Sequence, residues 1–509
     1  MFVGIILLSI GCDGGQTKED NVYRIGDEQG DWGYPTPFAA YPRGPGYVRT
    51  SFIFDTLVWK DEDGFIPSLA SEWEYDEENL SYIFELQEDV KWHDGEKMSA
   101  DDVVFTYEYL QEKPYNWADL SVIEDVKKLD DKKVEINLKE PVGAFLNSYA
   151  GVIQILPEHI WSEVDNPAEY SEEDAVVGTG PYILKDYDRD KGSYRYKAND
   201  EYFMGEPRYD ELHFVQVSDP QMAIQRGDVN FVQIEPEAVS NIEEQGLEII
   251  SGNHDWNLKL MFNHEKEPFD TKDFRRGLAY FIDDEMIVDR ALRGYGLKGA
   301  AGLISPDSRF FNEDIPEYNY DISKGEMKLK DIGYELQDGF FVDEEGDNLE
   351  LEIFTSGDFT REGELVRDFL REAGIKAEVR SFESSVLDER IRNSDFELAI
   401  IGHGGIGGDP HGISNFMVGK SRPHINIQYE DDLLIEKLEK KAVETDEEKR
   451  KELVKEVQKI YASELPAYTL YHPTWYYAHD KKVDWFFTFD GLGEGIPIPL
   501  NKFSLLKNN

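Results

Sequence analysis

The chain has 509 residues and a formal charge of −52, from 53 basic and 105 acidic residues. So large an excess, spread along the chain, repels nucleic acid and anionic membrane surfaces and suits a solvated acidic surface in a salty environment. Hydrophobic residues at 40% and aromatics at 13% exclude a disordered chain, and the length predicts two or three domains.

Cys12 is the single cysteine, which excludes a disulfide framework or a cysteine-based metal cluster within one chain. It closes an apolar run over 2–11 that is too short to span a bilayer. The run resembles a bacterial lipoprotein signal, which implies cleavage before Cys12, acylation of its thiol and a flexible tether over 13–22. No basic residue precedes the run, and an upstream start codon would explain that departure.

Residues 22–47 read as a loop carrying Trp32, Tyr34, Phe38, Tyr41 and Tyr47, with Arg43 close by. Such a loop either packs on the surface or lines a cleft. Residues 80–86 alternate as a strand, and Ser99 with Asp102 predicts a capping box opening a helix through Leu110. His93-Asp94 reads as a turn-stabilising pair, since no third catalytic partner lies near it in sequence. Residues 134–138 alternate as another strand. The stretch 178–228 holds Gly178-Thr179-Gly180-Pro181-Tyr182, then Asn199, Tyr202, Gly205, Pro207 and Gly227-Asp228. These residues suit a chain that crosses between lobes and starts new strands.

Residues 260–294 include Phe274-Arg275-Arg276-Gly277, in which Arg275 is expected to make a structural ion pair. A β-α-β unit follows: a strand at 349–353, a helical stripe of Leu365, Val366, Phe369 and Leu370, and a strand ending at Arg380. Residues 396–401 make a buried strand, Thr445 with Glu448 caps a helix, and 465–471 make a strand. Residues 485–487 and the tail rejoin the first lobe.

Taken in order, the 178–228 set, the 67–105 block and the 260–294 block resemble the extracellular solute-binding proteins of the dipeptide, oligopeptide and nickel import family. The resemblance covers the chain from about Thr50 to the C-terminus. It implies an α/β, periplasmic-binding-protein-like fold (type II, cluster C), with two large α/β lobes joined by a hinge and a smaller extra domain. Lobe I is then 23–57, 176–257 and 485–509; the small domain is 58–175; the third lobe is 258–484. The 22–47 segment lines the cleft in this family, so Trp32, Tyr34 and Arg43 become candidate ligand contacts, with Arg43 able to meet a carboxylate.

After the 396–401 strand comes Gly402-His403-Gly404-Gly405-Ile406-Gly407-Gly408-Asp409-Pro410-His411. Ligands of open α/β sheets sit beyond strand carboxyl ends, so this loop is well placed to choose the ligand. In peptide-binding relatives it resembles Trp-x-x-Asp-x-x-acid-Pro, whose first Asp neutralises the peptide ammonium. Here His403 replaces the Trp and Ile406 replaces that Asp, so Asp409 is the nearest substitute. Asp409-Pro410-His411 also resembles the nickel-binding branch, where His411 and His403 would hold a nickel chelate as ligand. His472 and His479 join them only if the fold brings them close.

The expected function is therefore a substrate-binding lipoprotein of an ABC importer. It is not an enzyme, has no resident cofactor, is monomeric, and sits on the outer face of the membrane through its lipid alone. A separate permease and ATPase complete the importer, since the chain carries no P-loop. A sensor or chaperone-like receptor on the same fold is an alternative. A secreted hydrolase is another, but neither Gly-x-Ser-x-Gly nor His-Glu-x-x-His occurs.

Overall fold

The computed structural model describes residues 21–113, 115–252, 254–404, 410–418, 429–492 and 498–507. Cys12, the leader and most of the tether lie outside them. Three sheets organise the chain. A seven-stranded mixed sheet runs in the order Glu248–Ser251, Tyr476–His479, Phe231–Ile234, Val22–Asp27, Glu211–Gln216, Ser193–Ala198, Tyr182–Asp188. A six-stranded sheet runs Gly296–Lys298, Ala467–Pro473, Asn257–Phe262, Leu398–His403, Glu350–Ser356, Lys376–Phe382. A four-stranded antiparallel sheet is built from Ala70–Asp76, Ser81–Leu86, Lys133–Leu138 and Ile123–Asp130.

The six-stranded sheet is buried on both faces. Leu258, Leu260, Leu398 and Ile400 enter one core, while Met261, Ala399 and Ile401 enter another. This follows from the two-residue period of strands, and it is why these segments read as continuous apolar runs. The β-α-β unit is present as parallel strands Glu350–Ser356 and Lys376–Phe382 joined by the helix Thr360–Glu372. By contrast, among the described residues the four-stranded sheet shares its core with the seven-stranded one. Phe84, Val134 and Ile136 belong to the same buried cluster as Tyr23 and Phe214 of the seven-stranded sheet.

The 178–181 turn is held from three sides. Gly178 and Gly180 lie so close to the carbonyls of Ile53 and Phe52 that a Cβ at either would overlap them. His93 closes the turn: its Nδ1 accepts from Gly178 N at 3.2 Å, which leaves Nε2–H to donate to Gly180 O at 2.9 Å. Asn199 donates to the same carbonyl at 3.0 Å. Thr179 and Tyr202 both donate to buried Asp55, at 2.9 and 3.0 Å, and Lys502 pairs with that carboxylate. Asp94 turns away to His159 at 2.7 Å.

Several expectations need correction. Val22–Asp27, read as loop, is a central strand with Tyr23 and Ile25 buried, and Gly44–Ser51 is a helix. The return to the first lobe comes earlier than 485. Tyr476–His479 pairs with Phe231–Ile234 and Glu248–Ser251, so the crossing lies between Pro473 and Tyr476. The late helix is capped by Asp446, not Thr445, because its carboxylate accepts from Lys449 N at 3.0 Å. Among the described residues Arg275 makes no ion pair. It is buried and donates to the carbonyls of Phe269, Asp270, Glu464 and Leu465 at 2.8–2.9 Å. The capping box at Ser99 and Asp102 opens Ala100–Glu112 as expected.

Candidate ligand cleft

The two large sheets are joined by two crossings, one between Ser251 and Asn257 and one between Pro473 and Tyr476. They touch each other, with Thr474 Oγ1 donating to Gly252 O at 2.6 Å. Beside them lies a cavity of about 1730 Å³, walled by residues of both lobes and of the small domain. The lobes also meet outside it, through Arg293–Glu237 at 2.7 Å and Arg309–Asp490 at 2.6 Å.

Trp32, Arg43 and His403 line this cavity, and Tyr34 does not. Tyr34 donates to Glu172 O at 3.1 Å and packs edge-on against Tyr187. Trp32 is fixed by its indole N–H, which donates to Asp27 Oδ2 at 2.8 Å. The same carboxylate binds buried Arg49 at 2.6 Å. Burial alone would raise the Asp27 carboxyl. The Arg49 guanidinium and the hydrogen bonds from Gly30 N and Trp32 outweigh burial and hold it below the ordinary range. Arg49 thus positions the wall, with its guanidinium 4.5 Å from the Phe214 ring centre. Arg43 is exposed at the cavity edge, where it can meet a ligand.

His403 is the last residue of its strand rather than part of a loop. Its ring stacks on Phe416 at 4.0 Å. Nε2 lies 2.9 Å from Lys259 Nζ, and Nδ1 lies 3.3 Å from Asn257 Nδ2. Both ring nitrogens are engaged within the protein, so the imidazole is not presented to the cavity as an open metal ligand. Burial lowers the Lys259 amine to about 7. His411 opens a short turn, its carbonyl accepts from Lys441, and it is not in the cavity wall. Ile406 and Asp409 lie outside the described residues. Among those described, no group of three or more His, Cys, Asp or Glu side chains could hold a metal ion.

The aromatic floor escaped the sequence reading. Trp256 and Trp475 sit at the two crossings and line the cavity, with Phe359 on one lobe and Tyr477 and Phe487 on the other. Tryptophans flanking strand ends were the available signal. Asp255, Asp358 and Asp388 also line the wall.

His472 and His479 are not brought to His403. His479 is buried in the seven-stranded sheet. His472 lies behind the floor, where Nε2 accepts from Ala300 N at 3.2 Å and Nδ1 faces Trp256 O at 3.3 Å. It must be neutral to accept at Nε2, and burial lowers its pKa from 6.5 to about 4. A folded pKa below the unfolded one gives stability that is full above pH 6.5 and lost as pH falls towards 4. The loss is on the order of 3 kcal/mol. Urea unfolding at pH 7 and pH 4.5 should therefore show a smaller acid loss in His472→Gln than in the parent. Equal losses would refute the assignment.

Two α/β lobes that enclose a cavity at a two-stranded hinge define a type II solute-binding fold. Residues 64–423 match the family described as bacterial extracellular solute-binding proteins, family 5 Middle. The chain belongs to that family. The dipeptide-binding protein of Escherichia coli is 26% identical over 456 residues, 82% of this chain and 83% of its own length. The oligopeptide-binding protein AppA of Bacillus subtilis is 28% identical over 429 residues, 80% and 78% of the two chains. In structure, NikZ from Campylobacter jejuni in complex with Ni(L-His) matches 93% of this chain and 98% of its own. The TM-score is 0.76 at 22% identity, a likeness of fold.

Proposed function

We propose that this protein captures a peptide-class solute outside the cell and delivers it to an ABC importer whose permease and ATPase are separate chains. The observation that carries this reading is the hinge-side cavity walled by both lobes. Closure about two short crossings would bury a ligand and make the liganded form distinct. A volume of about 1730 Å³ exceeds the range of roughly 300–1,000 Å³ usual for a single small molecule. That favours an extended solute over a compact metal chelate, as does the engagement of both His403 nitrogens. The relatives named above, binders of dipeptides and oligopeptides, support the same class.

Anchoring through acylated Cys12, a monomeric state and the absence of enzymatic activity complete the proposal. Among the described residues no helix is long and apolar enough to cross a membrane. The test is native mass spectrometry of protein beginning at Gly14, purified without chelator. A bound mass resolving into several peptides supports the reading. One metal plus a small chelator, lost in His411→Ala, would replace it with the nickel type.

A further inference from the structure

The hinge side of the cavity is built from rings. Trp256 and Phe359 are paired at 5.7 Å, and Tyr477 and Phe487 at 5.9 Å, with Trp475 on the crossing between the lobes. Two of these rings rest on glycines. A Cβ at Gly402 would overlap the Trp256 indole, and one at Gly252 would stand 2.7 Å from Phe487. The backbone has thus been cleared on both sides of the hinge to seat flat, electron-rich faces in a ligand cavity.

The charges around these rings are unbalanced. Among the described residues, six carboxylates line the cavity against three cations. Two of those cations are tied back to the small domain, Lys113 Nζ to Asp165 O at 2.9 Å and Lys139 Nζ to Ser121 O at 2.6 Å. Asp358 and Asp388 line the third-lobe wall beside Phe359, and neither has a cationic partner among the described residues. Lys259, behind His403, carries only part of a charge at neutral pH and does not redress the balance.

Ring faces carry negative quadrupole potential, and tryptophan is the best partner for a cation; guanidinium also stacks flat on such a face. Carboxylates in the same wall act in the same direction, and both disfavour an anion. We infer that the hinge-side subsite takes a guanidinium or alkylammonium side chain of the captured peptide, so that the protein prefers peptides with a cationic side chain over those with a neutral or acidic one. This rests on the solute-capture reading.

The test is calorimetric titration of Ala-Arg-Ala, Ala-citrulline-Ala, Ala-Phe-Ala and Ala-Glu-Ala into the Gly14-start protein in 1 M KCl. At that ionic strength the screening length is about 3 Å, so the diffuse field of the acidic surface does not contribute. Citrulline keeps the shape of arginine and removes its charge. The expected result is at least tenfold tighter binding of the arginine peptide than of the citrulline peptide. That ratio should fall several-fold in the Asp358→Asn/Asp388→Asn double variant and in Trp256→Leu. The double variant changes wall carboxylates without altering the ring cluster, so it stays informative if Trp256→Leu does not fold. Equal affinity for arginine and citrulline, or tighter binding of the phenylalanine peptide, overturns the inference and leaves solute capture standing. Binding of none of the four overturns both.

Discussion

Replacing Lys502 by methionine is expected to cost about 3–5 kcal/mol of folding free energy, the range found when one partner of a buried ion pair is removed. Lys502 and Asp55 are both fully buried and paired, 447 positions apart in sequence. Asp55 also accepts from Thr179 and Tyr202, and the Lys502 ammonium lies 4.3 Å from the Trp59 ring centre. Methionine fills the space and leaves a carboxylate out of water with only two neutral donors. Urea unfolding at pH 7 measures the loss. The double variant Asp55→Asn/Lys502→Met removes both charges and should recover part of it. A loss below about 1 kcal/mol in Lys502→Met would mean that the pair does not tie the C-terminal segment to the 178–181 turn.

Gly402→Ala should abolish retention of the native ligand while leaving the protein folded. The new methyl overlaps the Trp256 indole, which packs partly buried against the lobe's core and Phe359, so the ring must leave the floor. Overpacking of this kind costs about 1–3 kcal/mol, which a protein of this size can survive. On the proposed reading, the floor would then lose the surface on which the solute rests. Native mass spectrometry should find the variant empty under conditions that leave the parent loaded, with a changed tryptophan emission. An unchanged ligand occupancy would remove Trp256 from the site.

What could be read in advance follows from the range over which each signal acts. The capping box and the β-α-β unit depend on residues a few positions apart, and both appear in the fold. The punctuation Gly178-Thr179-Gly180-Pro181 was visible, but its reason was not. Asp55 and His93 reach the turn from segments far away in sequence, and they meet Asn199 and Tyr202 of the same stretch there. Val22–Asp27 escaped because six residues with Arg, Gly and Asp among them show little period, although two neighbouring strands make the segment central. Tyr476–His479 escaped because four residues beside a tryptophan look like packing rather than pairing.

The site divides in the same way. Trp32 and Arg43 line the cavity, where the family resemblance would put them, although the aromatic loop alone left a packed surface equally open. Tyr34, two residues from Trp32, turns to Glu172. His403 attracted notice at the family's Trp position and as a holder of a nickel chelate, yet Lys259 and Asn257 engage its nitrogens from the adjacent strand. No local pattern announces a lysine buried between strands.

The third lobe leaves and re-enters the rest of the molecule at neighbouring points. Its first strand, Asn257–Phe262, and its last, Ala467–Pro473, are hydrogen-bonded side by side and run antiparallel. Residues 257–473 are therefore a cassette whose two ends lie about one strand spacing, roughly 4.8 Å, apart. A recombination event with both junctions at the crossings would exchange one jaw of the trap and keep the other. Two relatives could in this way shuffle half of a recognition surface without breaking either sheet.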